Sequence, residues 1–167
     1  MARGATGGHR GPGRRTGNAG RSLLSLRIRI LAVGRLKEDY LRAAEGEYLK
    51  RLRPYCQVAI DEVADEAALL RKVPDGAALV ALDERGELVT SEELARGLIG
   101  NEEQRGGGRP LVFAIGGADG HSDAVRSQAD RLIAFGRVTI AHRLVRLFLA
   151  EQIYRAFTIL RGHPYHR

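Results

Sequence analysis

The chain has 167 residues, of which 44% are hydrophobic and 28% charged, the size and composition of one ordinary soluble domain. No apolar run approaches the roughly 20 residues of a membrane-spanning helix, so the sequence excludes one. Cys56 is the single cysteine, which excludes an internal disulfide, and no Cys/His spacing of the zinc-finger type occurs. We therefore expect a cytoplasmic protein with no metal site and no membrane contact.

Positive charge is concentrated at the two ends of the chain. The formal net charge is +7, and residues 1–26 carry five arginines and no acidic residue. Residues 137–167 carry six arginines against Glu151 alone. A basic end on the folded part predicts a polyanionic partner.

Residues 1–26 contain seven glycines and no adjacent pair of large apolar residues before Leu23 and Leu24. Such a segment buries too little apolar surface to offset the entropy cost of ordering it. We predict a disordered Arg/Gly-rich tail over residues 1–26, followed by one domain over residues 27–167. Three interpretations of the tail stay open: an RNA-binding arm, a solvated end or over-extended gene start without function, and a transit peptide.

Predicted strands and helices alternate along the domain. In chain order, the pattern predicts a strand over 28–33, a helix over 40–52, a strand near an edge over 58–63, a short helix over 66–72 and a strand over 77–82. It continues with a helix that begins at Thr90 or Ser91, a strand over 111–115, a helix over 123–133, a weak strand over 137–140 and a helix over 142–161. This alternation favours a single α/β domain with a mostly parallel sheet covered by helices.

Candidate ligand-binding turns follow the predicted strands, because open parallel sheets bind ligands beyond the carboxyl ends of their strands. Gly116 and Gly117 come directly after an apolar strand, and without Cβ atoms they let the backbone approach a ligand. A plain glycine-rich turn is the alternative. No Gly-Lys-Ser/Thr sequence occurs, and the glycines of residues 116–120 have the wrong spacing for a dinucleotide fingerprint. The usual nucleotide-binding folds are therefore disfavoured.

The predicted last helix is apolar around nearly its whole circumference, which a helix with one face in water would not be. The apolar positions are Leu144, Val145, Leu147, Phe148, Leu149, Ile153, Tyr154, Phe157 and Leu160. We expect a partner to cover the second face, which favours a dimer. Glu151 and Arg155 stand four residues apart, so Arg155 either stabilises the helix through this pair or contacts a phosphate or base.

Five segments taken together resemble one family. They are residues 82–86 (LDERG), 115–120 (IGGADG), 142–146 (HRLVR), 151–156 (EQIYRA) and 162–167 (GHPYHR). In this order they are similar to the ribosomal RNA large-subunit methyltransferase H family, which belongs to the knotted SPOUT methyltransferases. Residues 33–37 (VGRLK) and 47–56 extend the resemblance, which runs over residues 27–167.

The resemblance implies an S-adenosylmethionine-dependent enzyme that methylates N3 of a pseudouridine in helix 69 of 23S ribosomal RNA. It also implies a homodimer and a deep trefoil knot formed by the C-terminal segment, a rare exception to unknotted topology. Two alternatives stay open. One is a SPOUT enzyme that methylates another RNA, such as transfer RNA, and the other is a non-catalytic RNA-binding factor of ribosome assembly.

The resemblance assigns the cofactor to three segments. Its residues here are Leu82, then Gly116 and Gly117, then Phe135, Gly136, Arg137, Val138, Thr139 and Ile140. Leu82 and Ile140 would form apolar walls for the adenine, with simple core packing as the alternative.

The resemblance also implies a catalytic set consisting of His142, Arg155, Tyr165, His166 and Arg167. His142 and His166 are candidates to take the N3 proton, because histidine titrates close to neutral pH. Tyr165 is a candidate to stack on the base, and Arg155 and Arg167 to hold phosphates. The alternative for the last residues is a solvated chain end.

Three residues depart from the family pattern. Gly136 and Ala141 stand where the family more often has Ser and Pro, and His121 stands where it usually has an apolar residue. Because proline fixes a backbone angle, Ala141 predicts a looser adenine loop.

Overall fold

The structure is a computed structural model that describes Met1, residues 25–106 and residues 108–166. The predicted disordered tail therefore lies outside the described residues, apart from Met1, Ser25 and Leu26. Leu26, at its C-terminal boundary, is buried in the core.

Strands and helices alternate along the described residues. The strands are β1 (Arg27–Val33), β2 (Gln57–Val63), β3 (Ala78–Leu88), β4 (Leu111–Ile115) and β5 (Arg131–Ala134). The helices are α1 (Asp39–Leu52), α2 (Glu66–Lys72), α3 (Gly100–Gln104), α4 (Asp123–Gln128) and α5 (His142–Leu160). A π-helix (Glu93–Ile99) leads into α3, and a 3-10 turn (Pro164–His166) follows α5. None of the described helices is long and apolar enough to cross a membrane.

The five strands form one sheet in the order β2-β1-β4-β3-β5, and every neighbouring pair is parallel. The prediction of a single α/β domain with a parallel sheet is thereby confirmed, as is the edge position of β2. Helices α1 and α5 and the π-helix cover one face, while α2 and α4 cover the other. All five side chains of β4 are buried, because helices cover both faces of this central strand.

The predicted helix over 123–133 is confirmed at its start but wrong at its end, and the predicted weak strand over 137–140 is wrong. Helix α4 ends at Gln128, β5 occupies Arg131–Ala134, and residues 137–140 form a loop. Asp130 fixes the start of β5, since its N–H donates to the Leu79 carbonyl at 2.8 Å and its carboxylate accepts the Leu79 N–H at 2.7 Å. The apolar residues of β5 continue the three- and four-residue spacing of α4, so periodicity alone could not separate the two elements.

Strand β3 continues to Leu88, six residues past the predicted end. Both Leu82 and Glu87 lie opposite Ile133 of β5, so the four residues between them leave the regular ladder. This irregularity turns residues 83–85 away from β5 at the carboxyl end of the sheet.

A buried ion-pair network holds the N-terminal half of α5 against α1 and β2. The guanidinium of Arg146 contacts Glu45 Oε1 at 2.9 Å and Glu62 Oε1 at 2.7 Å. Glu62 also accepts the N–H of Leu36 at 2.9 Å. That hydrogen bond and the Arg146 charge lower the pKa of Glu62 despite its burial. The network fixes the helix that begins at His142, one turn before Arg146.

Candidate active site

A cleft of about 820 Å³ opens at the carboxyl ends of β3, β4 and β5. Its walls are residues 82–85 after the regular part of β3, residues 115–120 after β4, and residues 133–142 after β5. This is the edge at which parallel sheets bind ligands. The volume falls within the range of about 300–1,000 Å³ typical of small-molecule sites.

The structure brings all nine predicted cofactor-binding residues together in this cleft. Its lining includes Leu82, Gly116, Gly117, Phe135, Gly136, Arg137, Val138, Thr139 and Ile140. They come from three elements separated by up to 58 positions in the sequence. Their role in binding a cofactor stays a prediction, but their placement in one cavity supports it.

The glycine turn, residues 116–120, folds back on itself. Its two ends form a β-bridge between Gly117 and Gly120, and the Gly120 N–H donates to the Gly117 carbonyl at 3.1 Å. A Cβ atom on Gly116 would lie 2.7 Å from the Gly120 carbonyl oxygen, closer than real Cβ contacts. Glycine is therefore required at position 116 because the backbone of Gly120 lies too close for a Cβ atom. This requirement holds whether or not a ligand is bound.

An ion pair that the sequence did not reveal fixes the β3 wall. Buried Asp83 accepts the Arg85 N–H at 2.8 Å and Nε of Arg126 at 2.8 Å. Burial alone would raise the pKa of Asp83. These two hydrogen bonds and the positive charge of Arg126 outweigh burial, so the pKa of Asp83 lies below its ordinary value. The carboxylate thus stays charged and ties β3 to α4. Residues 82–86 belong to the family resemblance found in the sequence, but nothing there singled out Arg126 as the partner.

The structure does not bring the whole predicted catalytic set together within one chain. His142 lines the cleft at the first residue of α5. Arg155 lies 13 residues further along this helix, a distance of about 20 Å at 1.5 Å per residue. Tyr165 is near Arg155, whose guanidinium lies 5.0 Å from the centre of its ring. The His166 side chain and Arg167 lie outside the described part of the chain.

Arg155 and Tyr165 share one carboxylate. Arg155 Nη2 lies 2.6 Å from Glu151 Oε1, and the Tyr165 hydroxyl donates to the same oxygen at 3.2 Å. Hydrogen bonding to Glu151 raises the pKa of Arg155. Burial, followed by hydrogen bonding to Tyr48 and the negative charge of Glu151, raises the pKa of Tyr165. The structure therefore contains the helix-stabilising pair of Glu151 and Arg155, one of the two roles that the sequence left open for Arg155. The same carboxylate also holds Tyr165.

One face of α5 is apolar and exposed. Leu144 is 47% exposed and Phe148 is 40% exposed, and Phe148 packs on Phe135 of the cleft wall with ring centres 5.0 Å apart. Arg155 lies within about 20° of Leu144 around the helix, at 100° per residue. The exposed apolar face therefore runs from the cleft towards the cluster of Arg155 and Tyr165.

Comparison with known proteins agrees with this architecture. The family model described as "Predicted SPOUT methyltransferase" matches residues 26–166. A Ribosomal RNA large subunit methyltransferase H from Geobacter sp. (strain M21) is 46% identical over 154 residues, covering 84% of this chain and 99% of that protein. The Xanthobacter autotrophicus protein of the same name is 46% identical over 162 residues, covering 85% of this chain and 99% of that protein.

The chain belongs to the ribosomal RNA large subunit methyltransferase H family of SPOUT methyltransferases. The family resemblance stated from the sequence is thereby confirmed.

Solved structures agree at the level of the fold. A probable methyltransferase from Bordetella pertussis Tohama I matches with a TM-score of 0.50 and 12% identity, over 80% of this chain and 95% of that chain. TrmJ from Z. mobilis ZM4 matches with a TM-score of 0.52 and 14% identity, over 80% of this chain and 71% of that chain. The trefoil knot fits this family and stays a prediction.

Proposed function

We propose that this chain is an S-adenosylmethionine-dependent methyltransferase that methylates N3 of a pseudouridine in helix 69 of 23S ribosomal RNA. The observation that carries the proposal is the cleft, which gathers the three predicted cofactor segments in a chain of this family. The relatives' name supplies the substrate class, the RNA of the large ribosomal subunit. We place the enzyme in the cytoplasm, where this RNA is assembled.

The residues of the cleft fit the proposed cofactor. Leu82 and Ile140 offer apolar surface for a flat purine, while the glycine turn presents backbone without Cβ atoms. S-adenosylmethionine supplies a methyl group already activated by its sulfonium. The chain's task is therefore to orient the target base, exclude water and accept one proton.

Methylation at N3 replaces the proton of that nitrogen, so a group near the cleft must accept it. His142 is the histidine among the described residues that lines the cleft. We assign it this proton, with His166 as the second candidate. The imidazole side chain would accept the proton as a general base.

A two-fold dimer would complete the site. Phe148 lies on the exposed apolar face of α5, six residues after His142 and seven residues before Arg155. If two α5 helices pack antiparallel across this point, His142 of one protomer faces the Arg155 and Tyr165 cluster of its partner, because a two-fold interface is self-complementary. We therefore propose a homodimer in which the C-terminal residues of one chain serve the cleft of the other.

Two measurements separate this proposal from its alternatives. Calorimetric binding of S-adenosylmethionine distinguishes an enzyme from a non-catalytic assembly factor, for which no binding is expected. Mapping the methylated nucleotide distinguishes the ribosomal substrate from transfer RNA.

Gly116→Ala is expected to weaken S-adenosylmethionine binding at least about tenfold. The added Cβ atom would collide with the Gly120 carbonyl and force the turn to open. Isothermal titration calorimetry on the folded variant measures the effect. Gly46→Ala is the matched control, since a Cβ atom on this α1 residue meets nothing within 4 Å. Wild-type affinity in Gly116→Ala would remove the turn from the binding site.

Deleting residues 2–24 is expected to leave the melting temperature nearly unchanged, because we propose that this segment contributes nothing to the core. Its five arginines should strengthen non-specific RNA binding, so deletion should also lower the salt dependence of RNA affinity. Thermal melting and RNA titration at two salt concentrations measure both effects. A large fall in melting temperature would mean that the segment is docked on the domain.

A further inference from the structure

We infer that His121 is a positioning residue that holds the glycine turn in the shape its ligand needs. His121 follows the turn directly, is 3% exposed, and lies behind the cleft rather than in its lining. It therefore acts on a ligand only through the turn. This role rests on the proposed function in one respect, namely that the ligand of the turn is S-adenosylmethionine.

Both ring nitrogens of His121 face acceptor oxygens. Nδ1 lies 2.8 Å from Glu66 Oε1, and Nε2 lies 3.2 Å from the Ala114 carbonyl oxygen. A ring nitrogen that carries a proton can donate to the oxygen that it faces. The ring therefore connects the end of the glycine turn to α2 on one side and to β4 on the other.

Glu66 strengthens the same anchor. Its carboxylate also accepts the Ser122 N–H, at 3.0 Å and 3.1 Å to its two oxygens. Burial alone would raise the pKa of Glu66. The hydrogen bonds from Ser122 and His121 outweigh burial, so the pKa of Glu66 lies below its ordinary value. One charged carboxylate thus holds the two residues that follow the turn.

A glycine-rich turn needs such an anchor, because glycine loses more conformational freedom on ordering than any other residue. The turn is fixed at its start by β4 and at its end by the contacts of His121 and Ser122. Ordering it before the ligand arrives removes that entropy cost from the binding step. Loss of the anchor should therefore weaken ligand binding without unfolding the sheet.

The test compares His121→Leu and Glu66→Gln with the wild type. His121→Leu is expected to weaken S-adenosylmethionine binding about tenfold and to speed amide hydrogen exchange in residues 116–120, with exchange in β1 unchanged. Glu66→Gln should give a smaller loss of the same sign, since the amide oxygen still accepts the Ser122 N–H. The matched control is Glu47→Gln, which removes an exposed carboxylate paired with Arg51 on α1 and should change neither quantity.

A third measurement is made on the wild type. Nitrogen-15 NMR of the histidine rings should show a hydrogen-bonded ring N–H on His121, a signature that a merely space-filling role would not produce. If the wild type does not bind S-adenosylmethionine, the proposed function fails, while exchange in the turn and the ring protons still decide the anchor. If His121→Leu does not fold, Glu66→Gln and the ring protons decide it. Wild-type exchange in the turn of Glu66→Gln, or the lack of a hydrogen-bonded ring proton on His121, would overturn the inference.

Discussion

Removing residues 165–167 is expected to abolish methylation of ribosomal RNA, with turnover falling about a hundredfold or more, the scale of losing a proton-transfer or base-positioning group. The reason is that Tyr165, His166 and Arg167 are proposed to complete the cleft of the partner protomer. Affinity for S-adenosylmethionine and dimer formation should persist, because the residues assigned to those roles remain. Turnover is measured on ribosomes that lack the modification.

A chain end without function predicts the opposite result, since exposed termini usually tolerate truncation. Calorimetry and size-exclusion chromatography on the truncated protein show whether cofactor binding and the dimer are retained. Tyr165→Phe is a useful second variant, because it removes only the hydroxyl that donates to Glu151 and keeps the ring beside Arg155. Wild-type turnover by the truncated protein would exclude these residues from catalysis.

Phe148→Glu is expected to dissociate the dimer and to stop methylation with it. The ring of Phe148 lies on the exposed apolar face of α5, where the proposed dimer would bury a carboxylate without a partner. We expect at least about a hundredfold weaker association, the effect of losing a central apolar anchor. Analytical ultracentrifugation over a concentration series measures it.

The matched control for Phe148→Glu is Tyr40→Glu, which places the same charge on an exposed aromatic position of α1. This variant should remain a dimer. A dimeric, fully active Phe148→Glu protein would show that α5 does not form the interface through this face.

The sequence predicted the sheet well because parallel strands buried on both faces are short apolar runs, and β1 and β4 are such runs. The sequence pattern did not predict where α4 ends and β5 begins, because apolar residues at three- and four-residue spacing continue across the boundary that Asp130 sets. Two hydrogen bonds between Asp130 and Leu79 create that boundary. Contacts of this kind join residues 51 positions apart and leave no local pattern.

For the site, the family resemblance named the nine proposed cofactor residues, and they share one cleft because each segment follows the carboxyl end of a strand or lies in the loop before α5. It missed the side chains behind the cleft. Asp83 with Arg126, and His121 with Glu66, are pairs between elements that only the fold brings together. His121 stood out in the sequence as a departure from an apolar position, but its partner did not.

The measurement that tests the central claim most directly is mass mapping of methylated nucleotides in 23S ribosomal RNA from cells that lack this gene and from the same cells after its return. The proposed function predicts that one methyl group on a helix 69 pseudouridine is absent without the gene and reappears with it. The Gly116→Ala variant should restore this methyl group less completely than the wild type. An unchanged modification pattern in helix 69, or a methyl group that appears instead on transfer RNA, would contradict the account.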